Sequence, residues 1–437
     1  METRDLACTE DLLRFIDACP VSFVAVNEIV NRLESSGYRR YSFSDGAPIP
    51  GGKYYLTRNG SSVLAFRLPE KTVTGFMISA AHCDSPSFQI KNNYAVKACD
   101  RYLKLDTEVY GGGIYASWFD RPLSVAGRAV VRTGDELTVR PFALRKDLCL
   151  IPNVCIHFNR DINSGYKFNP AVDTLPLFSD WTDENVLYRL IAEQLGVEAD
   201  AIVSTDLYLY NRMKGTVYGA GDEFFAAPRI DDLQCAYATL TAFLESKSAE
   251  TVVPVCAIFD NEEVGSSTKQ GAAGDLLEDL LTQIAAVYGR TLSELLSASL
   301  LLSCDNAHAM HPNHPELTDS HNSAHMNAGI VIKHNANQKY TTDAVSQALF
   351  TEICKKADVP VQHYANRSDI AGGSTLGRIA ATRVSMNAID IGLAQLAMHS
   401  SYETAGTKDT AYLIDAAKAF FAAKIACSGD KTYRIIW

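Results

Sequence analysis

Long apolar runs are missing from this sequence: none approaches the roughly 18 residues that a membrane-crossing helix needs. No signal-peptide apolar region is visible near the start. Clusters of Lys and Arg are missing too, and the net charge of -11 argues against a nucleic-acid partner, whose phosphates demand grouped cations. There is no CxxC pair, although eleven cysteines are present, mostly inside apolar segments such as those of Cys256 and Cys304. That usage reads as reduced, buried thiols and a cytoplasmic protein. A GxSxG elbow and a P-loop are both absent, and no helix follows Gly111-Gly112-Gly113 to receive a phosphate. Internal repeats and low-complexity tracts are likewise absent.

What is present is a soluble composition, 47% hydrophobic and 21% charged, over 437 residues. That length exceeds one ordinary core, so two domains are expected. Helical spacing covers residues 9–19 and 21–36, and Gly37 stops the second helix. Short strands are predicted at 54–58, 62–67 and 72–80. From residue 92 to about 222 the chain turns rich in Val, Tyr, Thr and Gly, with a hairpin at 129–140. After Pro228 strands and helices alternate again, ending in a helix over 409–426 that Asp409 is expected to cap. The expectation is an α/β catalytic domain, residues 1–90 and 223–437, with a largely parallel, covered sheet. It is interrupted by an inserted β-rich domain at 91–222.

Several apolar runs end on His, Asp or Glu. Residues 73–81 lead to His82 and Asp84, 251–259 to Asp260, Glu262 and Glu263, 299–304 to Asp305, and 391–398 to His399. Ligands bind beyond the carboxyl ends of strands in open α/β sheets, and His with carboxylates suits a hard or borderline metal. Residues i and i+2 of an extended segment share a side, so Asp84 can hold the second nitrogen of His82. Asp231 and Asp232 stand at a helix start, where Asp also serves as an N-cap. Glu262 and Glu263 would repel unless a cation or proton lay between them, and with a metal one ligates while the other acts as general base. The histidines of the loop 305–325 have no cysteine pair, and Pro312 and Pro315 break any helix. They form no zinc finger, and read as lining a metal site or as surface residues.

Five motifs occur in order: Ala81-His82-Cys83-Asp84, Arg229-Ile230-Asp231-Asp232, Asn261-Glu262-Glu263-Val264-Gly265-Ser266, Asp305-Asn306-Ala307-His308 and Leu396-Ala397-Met398-His399-Ser400. With His311-Pro312-Asn313, the stretch from Val331 through Lys333 to Tyr340, and Gly373-Ser374-Thr375, the succession resembles the aspartyl aminopeptidase family of dinuclear zinc peptidases over nearly the whole chain. The resemblance implies that Asp231 bridges two divalent ions, most often Zn2+, with Mn2+ or Co2+ as alternatives. His82 and Asp305 then complete one shell, and Glu263 and His399 the other. Glu262 is the general base of a hydroxide attack, and Asp84 orients His82. The resemblance also implies a phosphorylase/hydrolase-like catalytic domain, a β-rich dimerisation domain and a homo-dodecamer built from dimers. His157 would reach a neighbouring subunit's site. Substrates would be peptides with a free N-terminal Asp or Glu, and Lys333, in a protein of net charge -11, is the cation expected to accept that side chain. Asp232, Asn306 and Gly372 depart from the residues common at these positions, which bears on metal preference and substrate tuning.

Two other classes remain open from the sequence. A di-zinc carboxypeptidase or deacylase would use nearly the same ligands, and an inactive scaffold would keep only the fold; none of the inferred ligands is missing. Within the aminopeptidases, broader specificity is a further alternative.

Overall fold

The computed structural model describes residues 3–180, 183–429 and 431–437. At its centre is a nine-stranded sheet, ordered Arg39–Arg40, Lys53–Arg58, Ser62–Arg67, Val252–Phe259, Gly75–His82, Leu300–Cys304, Asn387–Gly392, Ile330–His334, Val361–Ala365. Four neighbours in the middle, from Val252–Phe259 to Asn387–Gly392, run parallel. The sheet is more mixed than expected: Ser62–Arg67 and Ile330–His334 join it antiparallel. On the first side the cause is local, because Asn59 and Gly60 fold Lys53–Arg58 and Ser62–Arg67 into a hairpin.

Strands covered on both faces need apolar residues at every position rather than at alternate ones. Gly75–His82 and Val252–Phe259 are buried from end to end. Their alternate side chains supply two cores. Met77, Ala81, Cys256 and Ile258 pack with the helices Thr3–Ala18, Ser22–Ser35, Ile230–Glu245 and Asp409–Ala422. Phe76, Ile78, Val255 and Phe259 pack with Leu276–Val287 and Leu376–Arg383.

A separate, antiparallel six-stranded sheet is ordered Glu136–Ala143, Leu123–Thr133, Ile202–Asn211, Ser87–Ala98, Tyr102–Tyr110, Leu177–Ser179. It has its own core, including Phe88, Leu105, Trp118, Leu187 and Leu209. The expected hairpin is present, with Thr133 opposite Glu136 and Gly134 at φ +61° in the first turn position. A third sheet of five short strands, among them Phe224–Ala227, Ala394–Leu396 and Glu403–Gly406, lies along the chain just before Asp231 and around His399.

The last helix stops at Ala422, not 426, and Lys424–Ser428 pairs with Thr432–Ile436 as a hairpin. Lys424-Ile425-Ala426 suits either helix or strand spacing, and Ala423 is already extended at ψ 153°. Nor does Asp409 cap its helix. Its buried carboxylate accepts the amides of Asn327 (2.6 Å) and Gly329 (3.1 Å), which fastens the approach to Ile330–His334. No helix among the described residues is long and apolar enough to cross a membrane.

Candidate metal centre

The side chains singled out by sequence arrive where strands give out. His82 is the last residue of its strand and pairs with Phe259, so the Glu262–Val264 turn begins beside it. Asn261 (φ +61°) and Gly265 (φ +95°) bracket that turn in the left-handed region, which Asn and Gly tolerate best. Asp305 follows Cys304 directly. Asp231 and Asp232 open the helix Ile230–Glu245 with non-helical angles across a cis peptide bond, and the helix start has no side-chain cap.

These positions converge. Nε2 of His82 lies 3.5 Å from Asp231 Oδ1 and 3.8 Å from Asp305 Oδ1. Nε2 of His399 lies 3.4 Å from Asp231 Oδ2 and 3.3 Å from Glu263 Oε2. The two oxygens of Asp231 thus face two different triads, each with its donor atoms within 4.8 Å of one another. Such a carboxylate is placed to bridge two cations.

Two further carboxylates hold the frame. Asp84 Oδ1 stands 3.3 Å from His82 Nδ1. The same carboxylate accepts the amides of Glu262 and Glu263, both at 3.1 Å, and the Tyr110 hydroxyl at 2.7 Å. Asn261 donates to that hydroxyl in turn. Asp84 therefore fastens the glutamate turn as well as the histidine. On the opposite side, buried Glu403 accepts the amides of Asp231 (3.1 Å) and His399 (2.7 Å). Sequence reasoning missed Glu403 and Tyr110, and named Asn261 only as part of a motif. Glu403 follows the polar stretch Ser400-Ser401-Tyr402 and ends no apolar run, so no signal marked it.

Burial and mutual proximity shift the titration of these groups. Burial pushes Glu262 up to about 8, and burial with Asp231 and other carboxylates nearby holds Glu263 well above its ordinary range. Burial would lower His82, but the carboxylates of Asp231, Asp305 and Asp84 beside it raise it well above the usual imidazole value. Asp231 Oδ1 and Glu263 Oε1 are buried without a hydrogen-bond partner. Orphaned oxygens within a His/carboxylate donor set fit divalent metal ions of the zinc or manganese type.

The centre opens into a cleft of about 550 Å³, counting its mouth, lined by Glu262, His308, Lys333, Tyr340, Tyr364 and Thr375 among others. Lys333 is only 3% exposed; its ammonium donates to the Asn306 carbonyl at 2.8 Å and lies 3.4 Å from Asp305 Oδ2. His308 lines the cleft, whereas His311, His314, His321 and His325 are exposed on the loop. His157 is not drawn into this cluster; it occupies an exposed turn between Ile156 and Phe158, the latter 87% exposed. The three departures are also placed. Asp232 accepts the His82 amide at 3.1 Å, Asn306 donates to Gln234 and the Leu393 carbonyl, and a Cβ at Gly372 would meet Asn366 at 2.3 Å.

Comparison with known proteins finds relatives along nearly the whole chain. Residues 15–421 match the family described as Aminopeptidase I zinc metalloprotease (M18). A Clostridium acetobutylicum protein described as a probable M18 family aminopeptidase 2 is 41% identical, over 95% of this chain and 99% of its own. Among solved structures, Ape4 in its complex with Nbr1 superposes with a TM-score of 0.92 at 33% identity, over 96% of this chain and 86% of that one. The S. cerevisiae mApe1 dodecamer gives 0.84 at 26% identity, over 96% and 97%. The chain belongs to the M18 family of zinc metallo-aminopeptidases.

Proposed function

We propose that this aminopeptidase removes N-terminal Asp and Glu from peptides, using two divalent metal ions, zinc first and manganese or cobalt as alternatives. The observation that carries the specificity is Lys333, a buried ammonium lining a cleft whose carboxylic side chains are Asp231, Glu262 and Asp305. In a protein of net charge -11, a substrate carboxylate needs such a local cation. His82, Asp231 and Asp305 would hold one ion and Asp231, Glu263 and His399 the other. When bound, the ions supply Lewis acidity, polarising the scissile carbonyl and making water easier to deprotonate. Glu262 lines the same cleft and serves as general base: it takes the proton from the attacking water and returns it to the leaving amine. Asp84 keeps His82 and the Glu262–Val264 turn in register while this happens.

The inserted portion, residues 91–222 between the catalytic segments 1–90 and 223–437, acts in assembly, as dimers that build a dodecamer. Val154, Ile156 and Phe158 form an exposed apolar row around His157, the kind of surface a partner covers. His157 would then act in a neighbouring subunit's site. All eleven thiols are unpaired, which supports a cytoplasmic location. The deciding experiment compares Asp-, Glu-, Leu- and Lys-peptides, with free and acetylated N-termini, under added zinc, manganese and cobalt. Preferential cleavage of free Asp- and Glu-peptides is expected. Cleavage of acetylated peptides would point to a carboxypeptidase or deacylase, and equal rates on all four free peptides to broad specificity.

A further inference from the structure

Behind the cleft wall, two imidazoles that the candidate metal centre does not use stand together. Lys333 and Tyr364 sit opposite each other on the parallel strands Ile330–His334 and Val361–Ala365, and both line the cleft. Side chains alternate along a strand, so the next residue on one strand, His334, and the preceding residue on the other, His363, share the opposite face. There the two imidazoles meet: His334 Nε2 is 3.2 Å from His363 Nδ1, with ring centroids 5.4 Å apart and planes inclined by 37°.

That separation suits a shared metal. Zinc–imidazole bonds of about 2.0–2.1 Å at a tetrahedral angle put two ligand nitrogens roughly 3.3–3.4 Å apart. Neighbouring nitrogens of a square-planar copper(II) site come closer, at about 2.9 Å by the same trigonometry. The observed 3.2 Å lies between these values. His363 is exposed and His334 half-buried, which leaves an entry path and open coordination positions for water. Burial, and then the neighbouring His363, lower the pKa of His334, so the neutral ligand form is present at neutral pH. Among the described residues, no third His, Cys, Asp or Glu completes a cluster with them.

We propose that His334 and His363 form a separate surface site for a late first-row divalent ion, copper or zinc, with two imidazole ligands and water in the remaining positions. An ion there ties together the two strands that present Lys333 and Tyr364 to the cleft. It would therefore stiffen the cleft wall without touching the catalytic metals.

The test uses full-length, zinc-loaded protein titrated with Cu2+, the ion that imidazole sites bind most tightly in the Irving–Williams order. Wild type, His334→Gln, His363→Gln and, as a surface control, His314→Gln are compared. Copper and zinc per chain are measured after gel filtration, with the electron paramagnetic resonance spectrum of the bound copper. One copper per chain is expected in wild type and His314→Gln, with nitrogen hyperfine structure, a raised Tm and unchanged zinc. Each of the other two variants should bind at least tenfold more weakly and lose the Tm rise. The proposal is overturned if wild type takes up no copper, if copper enters only as zinc leaves, or if neither His334→Gln nor His363→Gln weakens binding. None of these readouts requires peptide hydrolysis, so they stand apart from the specificity proposed above.

Discussion

Lys333 and Asp305 form a buried ion pair, 3.4 Å between Nζ and Oδ2. One cation thus pairs with a carboxylate of the candidate metal centre and faces the cleft proposed to receive substrate. Replacing it by Met should cut kcat/KM for Glu-Ala by ~30- to several-thousand-fold, since truncating one partner of a desolvated ion pair costs about 2–5 kcal/mol. Gln-Ala and Leu-Ala should lose much less at matched zinc content. Equal losses on all three would confine Lys333 to supporting Asp305 or the fold and leave another group to read the substrate.

Glu262→Gln should keep its metals and lose about 10²–10⁴ in kcat, the usual worth of a general base. Metal analysis and kinetics on one sample decide it. Full activity would remove Glu262 from the mechanism, and loss of zinc would make it a ligand.

Glu403→Ala should weaken metal binding by about 10–100-fold, because the amides of Asp231 and His399 lose the acceptor that aligns both ligands. Glu403→Gln keeps one carbonyl oxygen and should recover part of that loss. Zinc retention against a chelator series measures both, and unchanged retention in Glu403→Ala would refute the positioning role.

Mixing inactive Glu262→Gln subunits with inactive His157→Ala subunits, under conditions that allow exchange, should restore some activity. A hybrid can place an intact base beside an intact donated histidine. Hybrids that form without any turnover would end the shared-site idea.

Asp409 supplies a pH dependence remote from the metals. Burial raises its carboxyl to about 7 in the folded chain, against about 3.9 when unfolded. The native state therefore holds an extra proton between those values, and stability falls as pH rises from about 4 to 7, then levels off. Relative to Asp409→Asn, the wild-type Tm should drop across that window. A constant difference would show that Asp409 stays ionised throughout.

Much of this architecture was legible because buried parallel strands demand unbroken apolar runs, and the candidate ligands stand at their ends. His82, Glu263 and Asp305 announce themselves in that way, and His399 follows a weaker run. Glu403 does not, because a residue that works by accepting two backbone amides needs no apolar run before it. The burial of Lys333 was equally hidden, since a strand-end lysine reads as solvated until the partner carbonyl of Asn306 is seen. The final helix overran because Lys424-Ile425-Ala426 satisfies both periodicities, and only pairing with Thr432–Ile436 decides between them.

The five proposed ligands come from five separate segments, the first and last 317 residues apart, from His82 to His399. At about 5–20 residues per second, a ribosome needs roughly 15–60 s to travel between them. Throughout that interval the growing polypeptide holds a partial donor set and no complete pair of triads. On that reading hydrolytic power would switch on only once His399 has been made, and a product terminated before it would lack the second triad.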